Sequence, residues 1–284
     1  MTANTLWFAP IQIAGLFLLP SLVIRLLTRL GMRGPNFRGS TIPVGYGLFI
    51  LLWSMPSLLV LYLCEDSLES RNESLAFAVV ALVFGMLGFL DDRYGTGESR
   101  GLRGHILRLV KDRKVSSGLL KAVFGLIGGI LISDQILRQS WQNALVSGAV
   151  IALSANALNL LDLRPGRAVA TFLTVALLLQ CLVFAMAAGS AMTRMRALPL
   201  VMIPAFFAYL KDRRAEVMLG DTGSNLLGAA LGLAFVLVFP SLQARAVALV
   251  CLALMHVAAE RVSFSAVIER NPVLRRLDAL TGVR

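Results

Sequence analysis

Nine runs of mainly apolar residues, approximately 6–27, 42–63, 75–90, 116–137, 142–161, 168–188, 195–210, 224–240 and 244–259, divide this chain. A helix needs about 20 such residues to cross a hydrocarbon layer. Inside that layer every backbone polar group must be satisfied by its own segment, which restricts such runs to helices here. The chain is therefore expected to be an all-α, polytopic integral membrane protein with nine to ten transmembrane helices. Its 284 residues are 57% apolar against 15% charged, and the mean hydropathy is +0.76, which no water-soluble core matches. The first run is longer than a signal-peptide core and lacks a small-residue cleavage site, so it reads as a retained span. The third, seventh and eighth runs are short, and Pro199 and Pro204 lie in the seventh, so re-entrant or broken segments are expected among these three. No connecting segment reaches the length of about 40 residues that an unaided soluble domain needs. Residues 1–284 thus form one membrane domain, with 260–284 as a tail.

Loop charge supplies an orientation. With the N-terminus outside, the inward segments 28–41, 91–115, 162–167, 211–223 and 260–284 hold twenty Lys and Arg, and the outward ones hold only Arg71, Arg138, Arg194, Arg196 and Arg245. This is the bias of cytoplasmic loops, so the protein is expected in the plasma membrane with its tail in the cytoplasm. The formal charge of +11 lies in these short loops rather than on one soluble face, so nucleic acid is not expected as a partner. Cys64, Cys181 and Cys251 lie in or beside apolar runs without metal-ligand spacing, which indicates small packing residues rather than a disulfide or zinc framework. Small-residue faces such as Gly125, Gly128 and Gly129 permit a homodimer.

Polar groups at a membrane edge are costly unless paired, metal-bound or facing water, and here they form three clusters, all on the inward side. The third run ends in Gly88-Phe89-Leu90-Asp91-Asp92-Arg93. Carboxylates at a helix C-terminus oppose the macrodipole, so a plain polar exit would more naturally carry Lys or Arg. Asn156, Asn159 and Asp162 recur at i, i+3, i+6 and share about a third of a helix circumference. Such a stripe either joins helices or lines a site. Before the eighth run stands Gly220-Asp221-Thr222-Gly223-Ser224-Asn225, where Asp221, Thr222 or Ser224 can cap the helix and the glycines admit a phosphate to its positive end. Four carboxylates, two amides and surrounding Arg and Lys on one face are what a Mg²⁺-dependent reaction on phosphates requires. Lys121 is placed to snorkel toward that interface, as any interfacial Lys is.

At this point the residues resemble a known family, the polyprenyl-phosphate N-acetylhexosamine-1-phosphate transferases of glycosyltransferase family 4. Pro35-Asn36-Phe37-Arg38-Gly39 and Ile42-Pro43-Val44-Gly45-Tyr46-Gly47 resemble its first loop and Gly-rich second helix. Gly88-Phe89-Leu90-Asp91-Asp92 is similar to its paired-aspartate motif and Gly118-Leu119-Leu120-Lys121 to the segment whose Lys faces the lipid phosphate. Asn156-x-x-Asn159-x-x-Asp162 and Leu219-Gly220-Asp221-Thr222-Gly223-Ser224 resemble its two later motifs. The resemblance implies attack of a lipid phosphate oxygen on the β-phosphorus of a UDP-sugar, with Mg²⁺ on the diphosphate and UMP released, on a cytoplasmic active site serving cell-envelope glycan synthesis. It implies catalytic roles for Asp91, Asp92, Asp162 and Asp221, and metal binding by Asp221 and Asp92. Substrate binding is implied for Asn156, Asn159, Lys121, Gly220, Ser224, Arg164, Arg167, His256 and Arg261. Both substrates, the polyprenyl phosphate and the UDP-sugar, are thereby named as partners beside the membrane.

The chain departs from the family's pattern on the sugar side. Gly95 stands where a polar residue is usual, Leu163-Arg164-Pro165-Gly166-Arg167 replaces a Gly and a second Asp, and the His-rich motif shrinks to His256 beside Glu260 and Arg261. His105 is the one other histidine and is either incidental or a phosphate contact. Arg164, Arg167 and Arg261 can clamp phosphates bidentately or only carry inward charge. The tail alternates Val267, Ile268, Val273, Leu274 and Leu277 with Arg270, Arg275 and Arg276; this suits an anionic leaflet, and Pro272 argues against one continuous helix. The alternatives are a relative that binds nucleotide-sugar or lipid phosphate without turnover, and a transporter. Retained carboxylates weigh against the first, and acids at one face rather than the midplane against the second.

Overall fold

A backbone in hydrocarbon must hydrogen-bond to itself, and the chain meets that demand with helices throughout its apolar runs. The computed structural model of the chain describes residues 8–95, 117–185 and 195–283, among which are eleven α-helices and one two-stranded antiparallel hairpin. Helix α1 (Phe8–Arg29) leads through β1 (Arg33–Pro35) and β2 (Thr41–Pro43), paired with Gly34 opposite Ile42, into α2 (Gly47–Cys64). Then follow α3 (Leu68–Tyr94), α4 (Ser117–Leu131) with a π-turn at Ile132–Ile136, α5 (Trp141–Leu161) and α6 (Arg167–Ala185). The chain closes with α7 (Leu198–Asp212), α8 (Gly220–Val238), α9 (Leu242–Ala259), α10 (Phe264–Arg270) and α11 (Pro272–Thr281).

Seven of these helices, α1, α2, α3, α5, α6, α8 and α9, are long and apolar enough to cross a membrane, so the chain is a polytopic, all-α membrane protein. Three boundaries differ from the sequence expectation. The third helix is the longest, 27 residues, because Ser67 caps it by accepting the Ser70 N–H at 3.1 Å and the macrodipole favours Glu69 in its first turn. Asp91 and Asp92 sit in its last turn, at the helix C-terminus where the sequence places them. The eighth helix begins at Gly220, so the motif expected ahead of it forms its first turn. The seventh helix runs unbroken over 15 residues, with Pro199 in the first turn, where a missing N–H costs nothing, and Pro204 accommodated in its interior.

Helix α8 is the centre of the molecule. Of its apolar window 78% is buried, against 11% for α1 and 6% for α9 at the periphery. Without a strong hydrophobic drive between helices in lipid, close backbone approach supplies the attraction, and α8 achieves it with glycines. A Cβ on Gly228 would stand 2.4 Å from the Ser154 carbonyl of α5, and one on Gly223 would stand 2.9 Å from Gly47 Cα of α2. The glycines of α4 that would permit a dimer have neighbours within the chain. Gly125 and Gly128 face Phe84 and Val83 of α3, and Gly129 faces the backbone of Gly148 on α5. The three cysteines, expected as packing residues, are free and exposed.

Arg245, expected as an outward loop charge, is buried at the end of α8 opposite Gly220, 5% exposed. Its guanidinium donates to the carbonyls of Val236 at 2.9 Å and Phe239 at 3.0 Å, to Gln139 Oε1 at 3.2 Å and to Ser147 Oγ at 3.1 Å. A cation there satisfies the orphan carbonyls at the negative end of the helix. Arg245→Met should remove about 2 kcal/mol of stability and lower the thermal midpoint in detergent by several degrees; an unchanged midpoint would show that the network is dispensable.

Candidate active site

The site is built around the first turn of α8. Four backbone N–H groups at a helix start have no partner within the helix, and they lie at its positive end. Here those four belong to Leu219, Gly220, Asp221 and Thr222, and three carboxylates from three other helices take all of them. Leu219 N donates to Asp212 Oδ1 at 3.1 Å. Gly220 N–H bonds Asp162. Asp221 N donates to Asp92 Oδ1 at 2.9 Å and Thr222 N to Asp92 Oδ2 at 2.8 Å. The Thr222 hydroxyl adds a third bond to Asp92, 2.6 Å to Oδ2. Negative groups that would repel one another at a membrane edge are held together by the helix end they share. The local expectation that Asp221, Thr222 or Ser224 caps α8 is thus replaced by capping from α3, α7 and the end of α5.

Local geometry makes this convergence feasible. Gly220 has φ of +74° and a Cβ there would stand 2.6 Å from Asp92 Oδ2, so only Gly permits both the turn and the approach. A Cβ on Gly88 would stand 2.1 Å from the Asp221 carbonyl, which lets α3 run against the start of α8. The residues before α2 hold the approach to α8 from the other side. Tyr46 N donates to Met218 O at 3.0 Å, Gly47 N to Leu219 O at 2.9 Å, and Met218 N to Pro43 O at 2.8 Å. The glycines expected to admit phosphate at Gly220 and Gly223 therefore serve helix contacts in this structure.

The side chain of Asp221 points toward the amide stripe of α5. Asn159 Nδ2 lies 3.3 Å from Asp221 Oδ2, and Ser224 Oγ donates to Asn159 Oδ1 at 3.1 Å. Asn225 Nδ2 holds the Asp221 carbonyl at 2.7 Å. Asn156, one turn earlier on α5, is half-buried and adds no side-chain hydrogen bond to this group. Asp162 terminates α5, with its N–H on Asn159 O. Burial, then the charges of Asp212, Asp221 and Asp92, push its carboxyl well above the ordinary carboxylate range, against the pull of the Gly220 N–H. Asp91 lies half-buried beside Asp92 in the last turn of α3, whose end is closed by Gly95 N on Asp91 O at 2.7 Å.

Asp212 was not among the residues expected here. It stands in the basic stretch Lys211-Asp212-Arg213-Arg214, where positive-inside counting hides a lone acid. It is buried and joins two loops, accepting from Gly166 N at 2.8 Å as well as Leu219 N.

Two of the basic candidates considered for a phosphate clamp are paired within the chain. Arg167 is bound bidentately to Asp278 of α11, at 2.7 and 3.0 Å, and to Ser265 Oγ of α10 at 3.0 Å. Arg164 pairs with Glu269 at 3.1 Å. His256 has Nδ1 2.7 Å from Leu252 O in its own helix and Nε2 buried without a hydrogen-bond partner, and neither nitrogen bonds the aspartates. Arg261 is exposed. Lys121 lies in α4, with its side chain outside the described residues, as is all of His105. The residues brought together are thus Asp92, Asn159, Asp162, Asp212, Asp221 and Ser224, with Asp91 next to Asp92 in the last turn of α3.

Among the described residues no three His, Cys, Asp or Glu side chains are grouped as a metal cage. Mg²⁺ at phosphoryl-transfer sites is bound by one or two carboxylates together with substrate phosphates and waters, and a carboxylate such as that of Asp221, oriented by Asn159, suits that arrangement. With this geometry in view, comparison with known families finds that residues 74–239 match the model described as Glycosyl transferase family 4. Comparison with curated proteins finds no match.

Proposed function

Because the chain belongs to glycosyl transferase family 4, the polyprenyl-phosphate sugar-1-phosphate transferases, we propose that it transfers an N-acetylhexosamine-1-phosphate from a UDP-sugar to a polyprenyl phosphate in cell-envelope glycan synthesis. Family membership itself implies sugar-1-phosphate transfer; the sugar, the lipid and the pathway are the finer part of the proposal. The observation that carries it is the convergence of Asp92, Asp162 and Asp212 on the first turn of the helix that bears Asp221, within the matched segment.

In this mechanism an oxygen of the lipid phosphate attacks the β-phosphorus of the UDP-sugar. The new P–O bond joins lipid to sugar phosphate, the bond from the β-phosphorus to the bridging oxygen breaks, and UMP leaves with that oxygen. A phosphate monoester with its second pKa near about 6 is already mostly dianionic at neutral pH, so positioning and charge neutralisation carry most of the rate. Asp221 would hold the Mg²⁺, which neutralises the diphosphate when bound. Asn159 orients that carboxylate through Oδ2. By the family resemblance Asp91 and Lys121 would serve the acceptor phosphate, and Asn156, Asn159 and Asp162 the nucleotide-sugar side. Asp92 is assigned to holding the start of α8, because the hydrogen bonds it already accepts leave it little capacity for a metal.

The same proposal places α4 and α7 as further membrane-crossing segments, the N-terminus outside and the site on the cytoplasmic face, in keeping with the loop charges. Purified protein in detergent, given Mg²⁺, undecaprenyl phosphate and UDP-sugars one at a time, should release lipid-dependent UMP with one of them, together with a lipid diphosphate-sugar of matching mass. Folded protein that binds UDP but releases no UMP with any UDP-sugar would instead favour a non-catalytic relative.

A further inference from the structure

The tail beyond α9 lies outside the matched segment, yet the structure folds it against the site. Its helices are locally encoded. Ser263 Oγ accepts the Ala266 N–H to start α10, and Asn271 Oδ1 accepts from Val273 N at 2.9 Å and Leu274 N at 3.2 Å to start α11. Pro272 follows at the first position of α11, where it fits. What these helices present inward is Asp278, and it meets Arg167 in a pair whose side chains are only 12% and 5% exposed. The planar guanidinium matches a carboxylate bidentately and still reaches Ser265. Few pairings of side chains would fill that geometry.

The chain end then threads between the two loops that carry the acidic groups. Val283 N donates to Arg213 O at 2.8 Å, in the loop that leads into α8. Gly166 and Gly282 make the closest approaches, since a Cβ on Gly166 would stand 2.1 Å from Thr281 O and one on Gly282 would stand 2.3 Å from Pro165 O. The turn between α5 and α6 is therefore tied at both ends. Asp162 opens it, bonded to Gly220 N–H; Arg167 closes it, bonded to the tail; and Asp212 grips Gly166 in between.

We propose that the segment Phe264–Val283 is a positioning element of the active site, latched by Arg167 and Asp278, that fixes the Asp162–Arg167 turn and with it the nucleotide-binding side. The inference rests on the function proposed above for that side. Arg167 and Asp278 act through Asp162 rather than on the substrate, so they are positioning residues.

The test uses full-length protein in detergent with Asp278→Asn and with the charge swap Arg167→Asp/Asp278→Arg. Two measurements need no turnover: hydrogen exchange of the peptides covering 272–283, and the Kd for UDP with Mg²⁺ beside the Kd for undecaprenyl phosphate. In Asp278→Asn the tail amides should exchange at least about tenfold faster and UDP should bind about tenfold more weakly, with lipid affinity within about twofold; a latch of this kind moves one substrate's binding and not both. The charge swap should recover both values. Faster tail exchange with unchanged UDP affinity would overturn the proposal. So would a joint fall of both affinities with the thermal midpoint, the mark of general destabilisation. Wild-type protein that binds UDP without releasing UMP would remove the transferase function alone, and the UDP affinities would still decide the role of the tail.

Discussion

Replacing Asp221 by Asn should lower lipid-dependent UMP release by about 10³-fold while leaving the protein folded. The substitution keeps the shape of the side chain and touches no backbone group that caps α8, because the four N–H groups at that helix start are held by Asp92, Asp162 and Asp212. It removes a negative charge from a cluster in which Asp162 already feels Asp212, Asp221 and Asp92. Relief of like-charge repulsion should hold the thermal midpoint level or raise it slightly. What is lost is the carboxylate oxygen that faces Asn159 Nδ2 at 3.3 Å, and with it the hard anionic donor that a Mg²⁺–diphosphate needs. UMP release by Asp221→Asn within about tenfold of the parent protein would exclude this carboxylate from the chemistry.

The helical architecture was legible because hydropathy over about 20 residues reports a physical requirement of the bilayer, and seven of the nine runs correspond to long apolar helices. The ends were less legible. Residues 68–74 precede the third apolar run, yet a Ser67 cap draws them into α3, and caps are short-range signals that a hydropathy window averages away. The motif around Asp221 is put to a different local use than its residues suggest. Its glycines suggested room for a phosphate, whereas Gly88 and Gly223 bring α3 and α2 against α8 and Gly220 admits Asp92. That contact joins residues about 130 positions apart, and one sequence alone carries no sign of it. The same holds for Asp212 and for Arg167 with Asp278, where each partner taken singly reads as an ordinary interfacial charge.

Asp92 is the residue for which this distinction has the largest measurable consequence. If it were chiefly a metal ligand, Asp92→Asn would behave like Asp221→Asn, folded and inactive. The structure commits it otherwise. Both of its oxygens accept hydrogen bonds, two from backbone N–H groups and one from the Thr222 hydroxyl. An amide in its place keeps one acceptor and turns a donor toward an N–H, so one of the two backbone donors is left unpaired and the carboxylate charge at the positive helix end is gone. The expected cost is about 2–3 kcal/mol of stability, seen as a thermal midpoint lowered by about 4–10 °C. UMP release should fall as well, by about 10²-fold at a temperature where the variant is still folded, because Asp221 shares its peptide unit with the bond that is broken. Asp92→Glu should not restore it, since the added methylene must fit beside Gly45 and Gly220, where there is so little room that a Cβ on either would stand 3.3 or 2.6 Å from Asp92 Oδ2. The discriminating pattern is the order of the two variants on two axes: Asp221→Asn lower in activity, Asp92→Asn lower in midpoint. An Asp92→Asn protein as stable as its parent and as inactive as Asp221→Asn would return Asp92 to the metal and leave the start of α8 to Asp162 and Asp212.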